Sequence, residues 1–424
     1  MASKSIKIDT IAKRALLAAA ALICLLGIVY FMRWCAGNSI ALNTIFADAA
    51  DTAVSLAPDD PQTHYTVAVL TERDFSDESV RKSLAEYERA TALAPSDFRT
   101  WLALGRAREH GDDAAGAEKA LRRALELAPN YSEVHWILGN VLLRQGKTDE
   151  AFAELRRAAE GSIDFVNPTV STAWQMFDGD LDRINRYLGD SPVVKSSLVA
   201  YLARAKRFDD AARIWNTLSA DEKRATFREN TDTLFNQLLQ AKKYRDALQI
   251  SAQLNDSASE NFAVGQVYNG GFEADVKRAG ANFFDWQIQD GAQPQIGVDA
   301  AQKHGGEHSL TAVFNSATGR EFRDLSQTIA VEPGRKYAFQ AFYKSELKTS
   351  ATIRWEIADS AGGKILAQTA PVAASASDWT NLKTEFVVPA NSEAVIVRLA
   401  REVCKTTLCP ISGRVWFDDL SITQ

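Results

Sequence analysis

The triplet Leu-Ala-Pro occurs three times, at Leu56–Pro58, Leu93–Pro95 and Leu127–Pro129, and the last two prolines stand 34 residues apart. Proline has no backbone N–H and clashes with the preceding helical turn, so each triplet ends a helix at a fixed place. The text between the stops also recurs. After Pro95 come Trp101, Leu104 and Gly105 on a first helical stretch, then Ala117, Leu121 and Ala124 on a second. The next length puts Leu138 and Gly139 in the same slots, followed by Ala151, Leu155 and Ala158; the one before carries Tyr87 and Ala90. Small residues such as Gly105 and Ala117 let two antiparallel helices approach closely, and Ala124 leaves room for the next pair. A single hairpin would leave an apolar face in water, so the units must stack into an α-solenoid.

This pattern resembles the tetratricopeptide repeat, whose period is about 34 residues. Weaker copies follow in Leu202–Leu218 and Leu238–Leu254, each a helix, a basic turn and an Ala-led second helix. Ser162–Pro192 is less regular, with Pro168, Gly179 and Pro192 as breakers. Residues 40–255 are therefore predicted to form one solenoid. The resemblance implies a concave groove lined by the first helix of each unit. By position it takes Gln62, Tyr65, Val69 and Arg73, then Arg99, Leu102, Arg106 and Glu109, then Glu133, Trp136, Asn140 and Arg144. Tyr65 and Trp136 are expected to anchor a partner protein while Arg106 and Arg144 pair with its carboxylates. The alternative is that Trp136 packs and the arginines are only solvated.

Ala15–Met32 is a run of about 18 residues without charge, near the length that spans a bilayer core. Lys4, Lys7, Lys13 and Arg14 precede it; Arg33 follows, and then no Lys or Arg until Arg73. Positive charge resists translocation, so residues 1–14 are expected in the cytoplasm, 15–32 as a transmembrane anchor and the remainder exported. That would be a single pass through a bacterial cytoplasmic (inner) membrane, with the C-terminal domains in the periplasm. A cleaved signal peptide is the alternative, but it calls for a small-x-small site directly after a shorter apolar core. Here Arg33-Trp34 follows instead, and Ala47-Asp48-Ala49 lies far downstream. Met32-Arg33-Trp34 is also a poor lipobox for Cys35.

Beyond about Ser259 the apolar period changes from 3.6 to 2. Tyr337, Phe339, Ala341 and Tyr343 alternate with Ala338, Gln340, Phe342 and Lys344; Ile353, Trp355 and Ile357 alternate with Arg354 and Glu356; Val395, Val397 and Leu399 alternate with Ile396 and Arg398. Short strands between Gly, Pro and Asn turns read as an antiparallel sandwich over residues 256–424. Cys404 and Cys409, in "CKTTLC", most simply form a local disulfide in an exported domain; a metal site is the alternative. "NGGFE" (Asn269–Glu273), "HGGEHSL" (His304–Leu310), "VEPGRKYAFQAFYKS" (Val331–Ser345), "WTNLKTEFVVP" (Trp379–Pro389) and "VWFDDLSI" (Val415–Ile422) follow in order. In that order they resemble the jelly-roll carbohydrate-binding modules related to families 4, 9 and 22, over most of 262–424. The resemblance implies a structural calcium held by Glu273 and Asp418, with carbonyls near His304–His308 completing the six to eight oxygens such a cation takes.

Alternation is expected to bring Gln340, Phe342, Arg354, Glu356 and Arg398 onto one sheet face as a glycan site, with Trp286 as a stacking platform. Trp286, Trp379 and Trp416 also read as sandwich core, and no exposed aromatic row is evident. The fold class is thus multidomain: an N-terminal transmembrane helix, an all-α solenoid and an all-β jelly roll. A net charge of −6 and the lack of a long basic run give no reason to expect nucleic acid. No nucleophile elbow, phosphate loop, dinucleotide glycine pattern or HExxH occurs, and His304 and His308 sit on a glycine turn, so no enzyme is expected. The function expected is a scaffold that binds partner proteins and a glycan, in polysaccharide or envelope assembly. A purely protein-binding scaffold with a structural sandwich is the first alternative, and a glycan hydrolase the second.

Overall fold

The computed structural model describes residues 10–74, 76–254, 263–316, 322–402, 404 and 409–424. The chain divides into two compact units, Met1–Ser197 and Leu198–Gln424.

The first unit is helical. Helix α1 (Ile11–Asn43) is followed by α2 (Ala47–Leu56), α3 (Pro61–Thr71), α4 (Asp77–Leu93), α5 (Phe98–His110), α6 (Ala114–Leu127), α7 (Ser132–Arg144), α8 (Thr148–Gly161), α9 (Val166–Met176) and α10 (Leu181–Leu188). Helix α11 (Pro192–Arg204) runs across the division. The apolar stretch of α1 is long enough to cross a membrane. The helix does not stop there: Gly37 and Ala41, in its last turns, are buried. A Cβ on Gly37 would lie 2.8 Å from the Ala53 carbonyl, Asn38 donates to Asp60 at 2.7 Å, and Thr66 donates to the Ala41 carbonyl at 3.1 Å. The end of α1 is therefore the first helix of a hairpin with α2, closed by the first Leu-Ala-Pro.

The next hairpins, α3–α4, α5–α6 and α7–α8, follow the sequence period. Asp60, Asp97 and Asp113 cap α3, α5 and α6 with their side chains, satisfying N–H groups that a helix start leaves orphaned. A Cβ on Gly105 would fall 2.6 Å from Leu121 Cγ and 3.5 Å from the Ala117 carbonyl; at Gly139 it would fall 2.8 Å from Leu155. Only glycine permits this approach. Ala117, Leu121, Ala124, Leu138, Ala151, Leu155 and Ala158 are all fully buried.

Among the described residues the second unit holds α12 (Phe208–Trp215), α13 (Arg228–Gln240), α14 (Tyr244–Leu254) and ten strands. The weaker repeat copies share the turn of the clear ones. Asp112, Gly146, Lys206 and Lys242 each have φ between 59° and 75°. Immediately after each, the next amide donates to a carbonyl five residues back: Asp113 to Arg108, Lys147 to Leu142, Arg207 to Leu202 and Lys243 to Leu238.

The strands are β1 (Gln287–Ile288), β2 (Gln295–Asp299), β3 (Ser309–Ser316), β4 (Leu325–Ala330), β5 (Lys336–Thr349), β6 (Thr352–Asp359), β7 (Ile365–Gln368), β8 (Ser375–Val387), β9 (Ala394–Glu402) and β10 (Ile411–Thr423). They form two five-stranded antiparallel sheets, one in the order β1-β4-β9-β6-β7 and one in the order β2-β3-β10-β5-β8. Trp355, Phe339 and Phe417 meet between the sheets, with ring centroids 6.1 and 5.1 Å from Trp355. Cys404 and Cys409 are disulfide-bonded, their Cα atoms 5.5 Å apart. Within this unit Arg245 of α14 binds Glu332 at 3.0 Å and Glu393 at 3.6 Å, and Lys242 donates to the Ala361 carbonyl at 2.8 Å. The last helical hairpin is thus tied to the turns at one end of the first sheet.

Candidate functional site

The alternation read from the sequence gives the correct faces but not the correct sheets. Arg354, Glu356 and Arg398 lie on β6 and β9 of one sheet; Gln340 and Phe342 lie on β5 of the other. The five residues therefore do not line one face. A period of two tells which residues share a side of a strand, and it does not tell which strands pair.

On the first sheet the register assembles a polar row across all five strands. Gln287 of β1 faces Ser326 of β4, Ser326 faces Arg398 of β9, Arg398 faces Glu356 of β6, and Glu356 faces Gln368 of β7. Their strand neighbours Ile353, Trp355, Ile357, Val397 and Leu399 are buried in the core, so the row lies on the outer face. Arg398 grips one Glu356 oxygen with Nε at 3.0 Å and Nη2 at 2.8 Å, and Gln368 donates to the other at 2.7 Å. Arg354 donates to Gln368 at 3.2 Å and pairs with Glu402 at 2.8 Å. Burial pushes the Asp324 carboxyl up, with Glu356 adding to the effect and Arg398 opposing it. The arrangement offers fixed donors and acceptors that can bind hydroxyl groups, as a sugar requires. Ser326, Gln287 and Gln368 were missed because they become neighbours only through long-range pairing.

On the second sheet Phe342 is covered. The His304 ring stacks on it at 3.8 Å, and Trp379 meets His304 edge-on at 5.7 Å. Trp379 is half-buried, whereas Trp416 is buried with its Nε1–H donating to Asp299 at 2.8 Å. Trp286 is no platform. It is 2% exposed, packs against Phe272 and Trp355 at 5.6 and 5.8 Å, and donates to the Asn269 carbonyl at 3.2 Å.

Glu273 and Asp418 both reach the His304–His308 turn, but they meet amides there. Asp418 accepts from the backbone N–H groups of His304, Gly305 and Asp419 at 2.7, 3.0 and 2.8 Å. Glu273 accepts from Glu307 and His308 at 2.9 and 3.4 Å. Burial raises the Asp418 carboxyl against those amides, and the Glu307 amide leads in lowering Glu273. Among the described residues no three His, Cys, Asp or Glu side chains converge as for a metal. Carboxylates turned onto N–H donors do not make the oxygen cage that calcium needs, so the residues as arranged do not fit the calcium the resemblance implied.

In the solenoid, Arg106 and Arg144 are spoken for. Arg106 of α5 pairs with Glu133 of α7, and Arg144 of α7 pairs back with Glu109 of α5. These expected groove residues staple two successive first helices. Arg99 pairs with Asp97 at 2.7 Å and, with Gln62 and Tyr65, borders a small cleft. Tyr65 meets Tyr87 edge-on at 5.9 Å, and Trp136 stacks on Phe165 at 5.5 Å. Asn140 donates to the Trp136 carbonyl, Leu102 is buried in the core, and Arg73 lies in the exposed turn beyond α3.

Comparison with known proteins agrees with both halves. Residues 76–132 and 112–164 match the tetratricopeptide repeat, and residues 264–405 match a carbohydrate binding domain. Similar solved structures include MamA, 18% identical over 38% of this chain and 89% of that one, with a TM-score of 0.31. They also include TmCBM61 in complex with beta-1,4-galactotriose (14% identical, 37% of this chain and 95% of that one, TM-score 0.28) and a CBM4 module (14%, 37% and 98%, TM-score 0.27). No curated protein matches the chain. The chain thus joins tetratricopeptide repeats to a carbohydrate-binding-type β-sandwich behind one long apolar helix. Both are kinds of domain that bind rather than catalyse.

Proposed function

We propose that the protein is a membrane-anchored scaffold whose solenoid holds partner proteins and whose sandwich binds a glycan, facing the periplasm in polysaccharide or envelope assembly. The observation that carries the glycan half is the row Gln287–Ser326–Arg398–Glu356–Gln368, in a region that matches a carbohydrate binding domain. Arg398, Glu356 and Gln368 are hydrogen-bonded to one another before any ligand arrives, and Gln287 is held by the Asn282 and Asp285 carbonyls. No aromatic residue stands in the row, so contacts are individually modest and affinity grows with glycan length.

Retention of the anchor is supported by packing. Cleavage near Ala47–Ala50 would sever α1 from α2 and strip Gly37, Asn38 and Ala41 from the surfaces they cover. The solenoid would lose its first helix and expose an apolar end. The contacts of Arg245 and Lys242 favour a second role for the sandwich, bracing the last hairpin of the repeats.

The proposal is tested on the full chain in detergent. Screening against bacterial envelope and secreted polysaccharides should find a ligand, and capture from membranes should find protein partners. N-terminal sequencing of the mature protein that begins near Ala47–Ala50 would remove the anchor from this reading.

A further inference from the structure

Three successive repeats finish their connecting turn with the same contact. Six residues after the proline of each Leu-Ala-Pro stands a ring nitrogen that reaches back to that proline's carbonyl. His64 Nε2 lies 2.8 Å from the Pro58 oxygen, Trp101 Nε1 lies 3.1 Å from that of Pro95, and His135 Nε2 lies 2.8 Å from that of Pro129. In the two histidine repeats the other ring nitrogen meets a carboxylate on the second helix of the hairpin. His64 Nδ1 is 2.5 Å from Glu86, and His135 Nδ1 is 2.5 Å from Glu154. The tryptophan repeat has a fully buried alanine, Ala120, where the repeat after it has Glu154.

A carbonyl oxygen and an ionised carboxylate can only accept. A neutral imidazole has one N–H, so it cannot satisfy both partners. The geometry around His135 is complete only when the ring–carboxylate pair carries one more proton. We propose that His135 and Glu154 form a proton-loaded clasp that fixes the α7–α8 hairpin to the turn before it, and that losing this proton loosens that part of the solenoid as pH rises.

The surroundings support the clasp. His135 and Glu154 are 5% and 8% exposed. Burial alone would lower the His135 pKa, but the bonds to Glu154 and the Pro129 carbonyl outweigh it and the pKa is raised. Burial likewise pushes Glu154 up, and His135 and Arg157 more than reverse this. The charged groups facing the pair are Arg157 of α8, bonded to the second Glu154 oxygen at 2.7 Å, Glu160 across the adjoining cleft, and Arg122 of α6. Arg122 is itself held by Glu118 and Glu150. On deprotonation the proton passes to water, the ring keeps one N–H, and either Glu154 or the Pro129 carbonyl loses its donor. A folded-state pKa above the unfolded value means that the stabilisation is full below the free imidazole value of about 6.5 and is lost as pH rises through the folded value.

The tryptophan repeat supplies the control. The paired change His135→Trp and Glu154→Ala copies Trp101 and Ala120, keeping a ring N–H on the proline carbonyl without a titrating group. The full chain, with only five histidines, is followed by ring NMR and by amide hydrogen exchange in α7–α8 between pH 6 and 9, corrected for intrinsic exchange. In the wild type, protection should fall about tenfold for each unit by which the folded midpoint exceeds the free one, and the His135 ring should titrate above about 6.5. The double variant should show flat protection. A His135 midpoint at or below the free value overturns the clasp, as does an equal pH dependence in both proteins. The ring titration decides the matter if the double variant does not fold.

Discussion

The groove side of the solenoid and the outer face of the first sheet carry the same chemistry, arginine against glutamate, in different settings. Between α5 and α7 the side chains of Arg106 and Glu133 are 42% and 36% exposed. On the sheet, the Glu356 side chain is 9% exposed beneath Arg398. Solvated pairs are worth about 0–1 kcal/mol and are readily exchanged for other partners. A desolvated carboxylate that holds an arginine and an amide at once is fixed in place, because leaving either donor unpaired is costly. The comparison teaches that the α5–α7 arginines are the ones the proposed scaffold would lend to a partner's carboxylates, whereas Arg398, Glu356 and Gln368 act as a preformed unit.

The same contrast orders the expected effects. Trp355 is fully buried among Phe339, Phe417 and Trp286. Trp355→Ala should therefore destabilise the sandwich by about 3–5 kcal/mol, read as a drop in the denaturant midpoint of the full chain. Gly105→Leu should come next, at about 1–3 kcal/mol, because even its Cβ has no room beside Leu121. Arg106→Ala should leave stability within about 0.5 kcal/mol while weakening partner capture. If Arg106→Ala unfolds the solenoid as badly as Gly105→Leu, the distinction between lent and fixed charges fails. Removing calcium with a chelator should have the smallest effect, none in the melting temperature, because Glu273 and Asp418 already hold the 304–308 turn through amides. A clear drop would show that the carboxylates turn onto a cation instead.

Local regularities were legible in the sequence and long-range pairing was not. The Leu-Ala-Pro period, the small residues at Gly105 and Ala117, and the change of period near Ser259 each report on contacts a few residues to one repeat away. Alternation separated Arg354 and Glu356 from Trp355, yet it could not join β6 to β9 rather than to β5. It therefore merged residues of two sheets into one expected site. Trp286 read both as a platform and as core, and the core reading holds, because Phe272 and Trp355 enclose it. The continuation of α1 into the first hairpin was hidden by the boundary that hydropathy draws at Arg33, although Gly37 and Ala41 are the small residues a close helix contact needs. The proline-plus-six ring was readable in hindsight, since His64, Trp101 and His135 stand at one repeat position.

Titration of the full chain with the polysaccharide that the screen identifies, monitored by calorimetry, tests the central claim most directly. Arg354→Ala combined with Arg398→Ala removes the cation of the row and the neighbouring arginine that donates to Gln368, and leaves the core residues Trp355 and Val397 untouched. The account predicts that the wild type binds, that longer chains bind more tightly, and that the double variant loses binding by tenfold or more, about 1.4 kcal/mol. The double variant melts lower because the buried Glu356 carboxylate loses its cation, and it is therefore titrated well below its own melting temperature. Undiminished binding by the double variant would contradict the assignment of the glycan to this face.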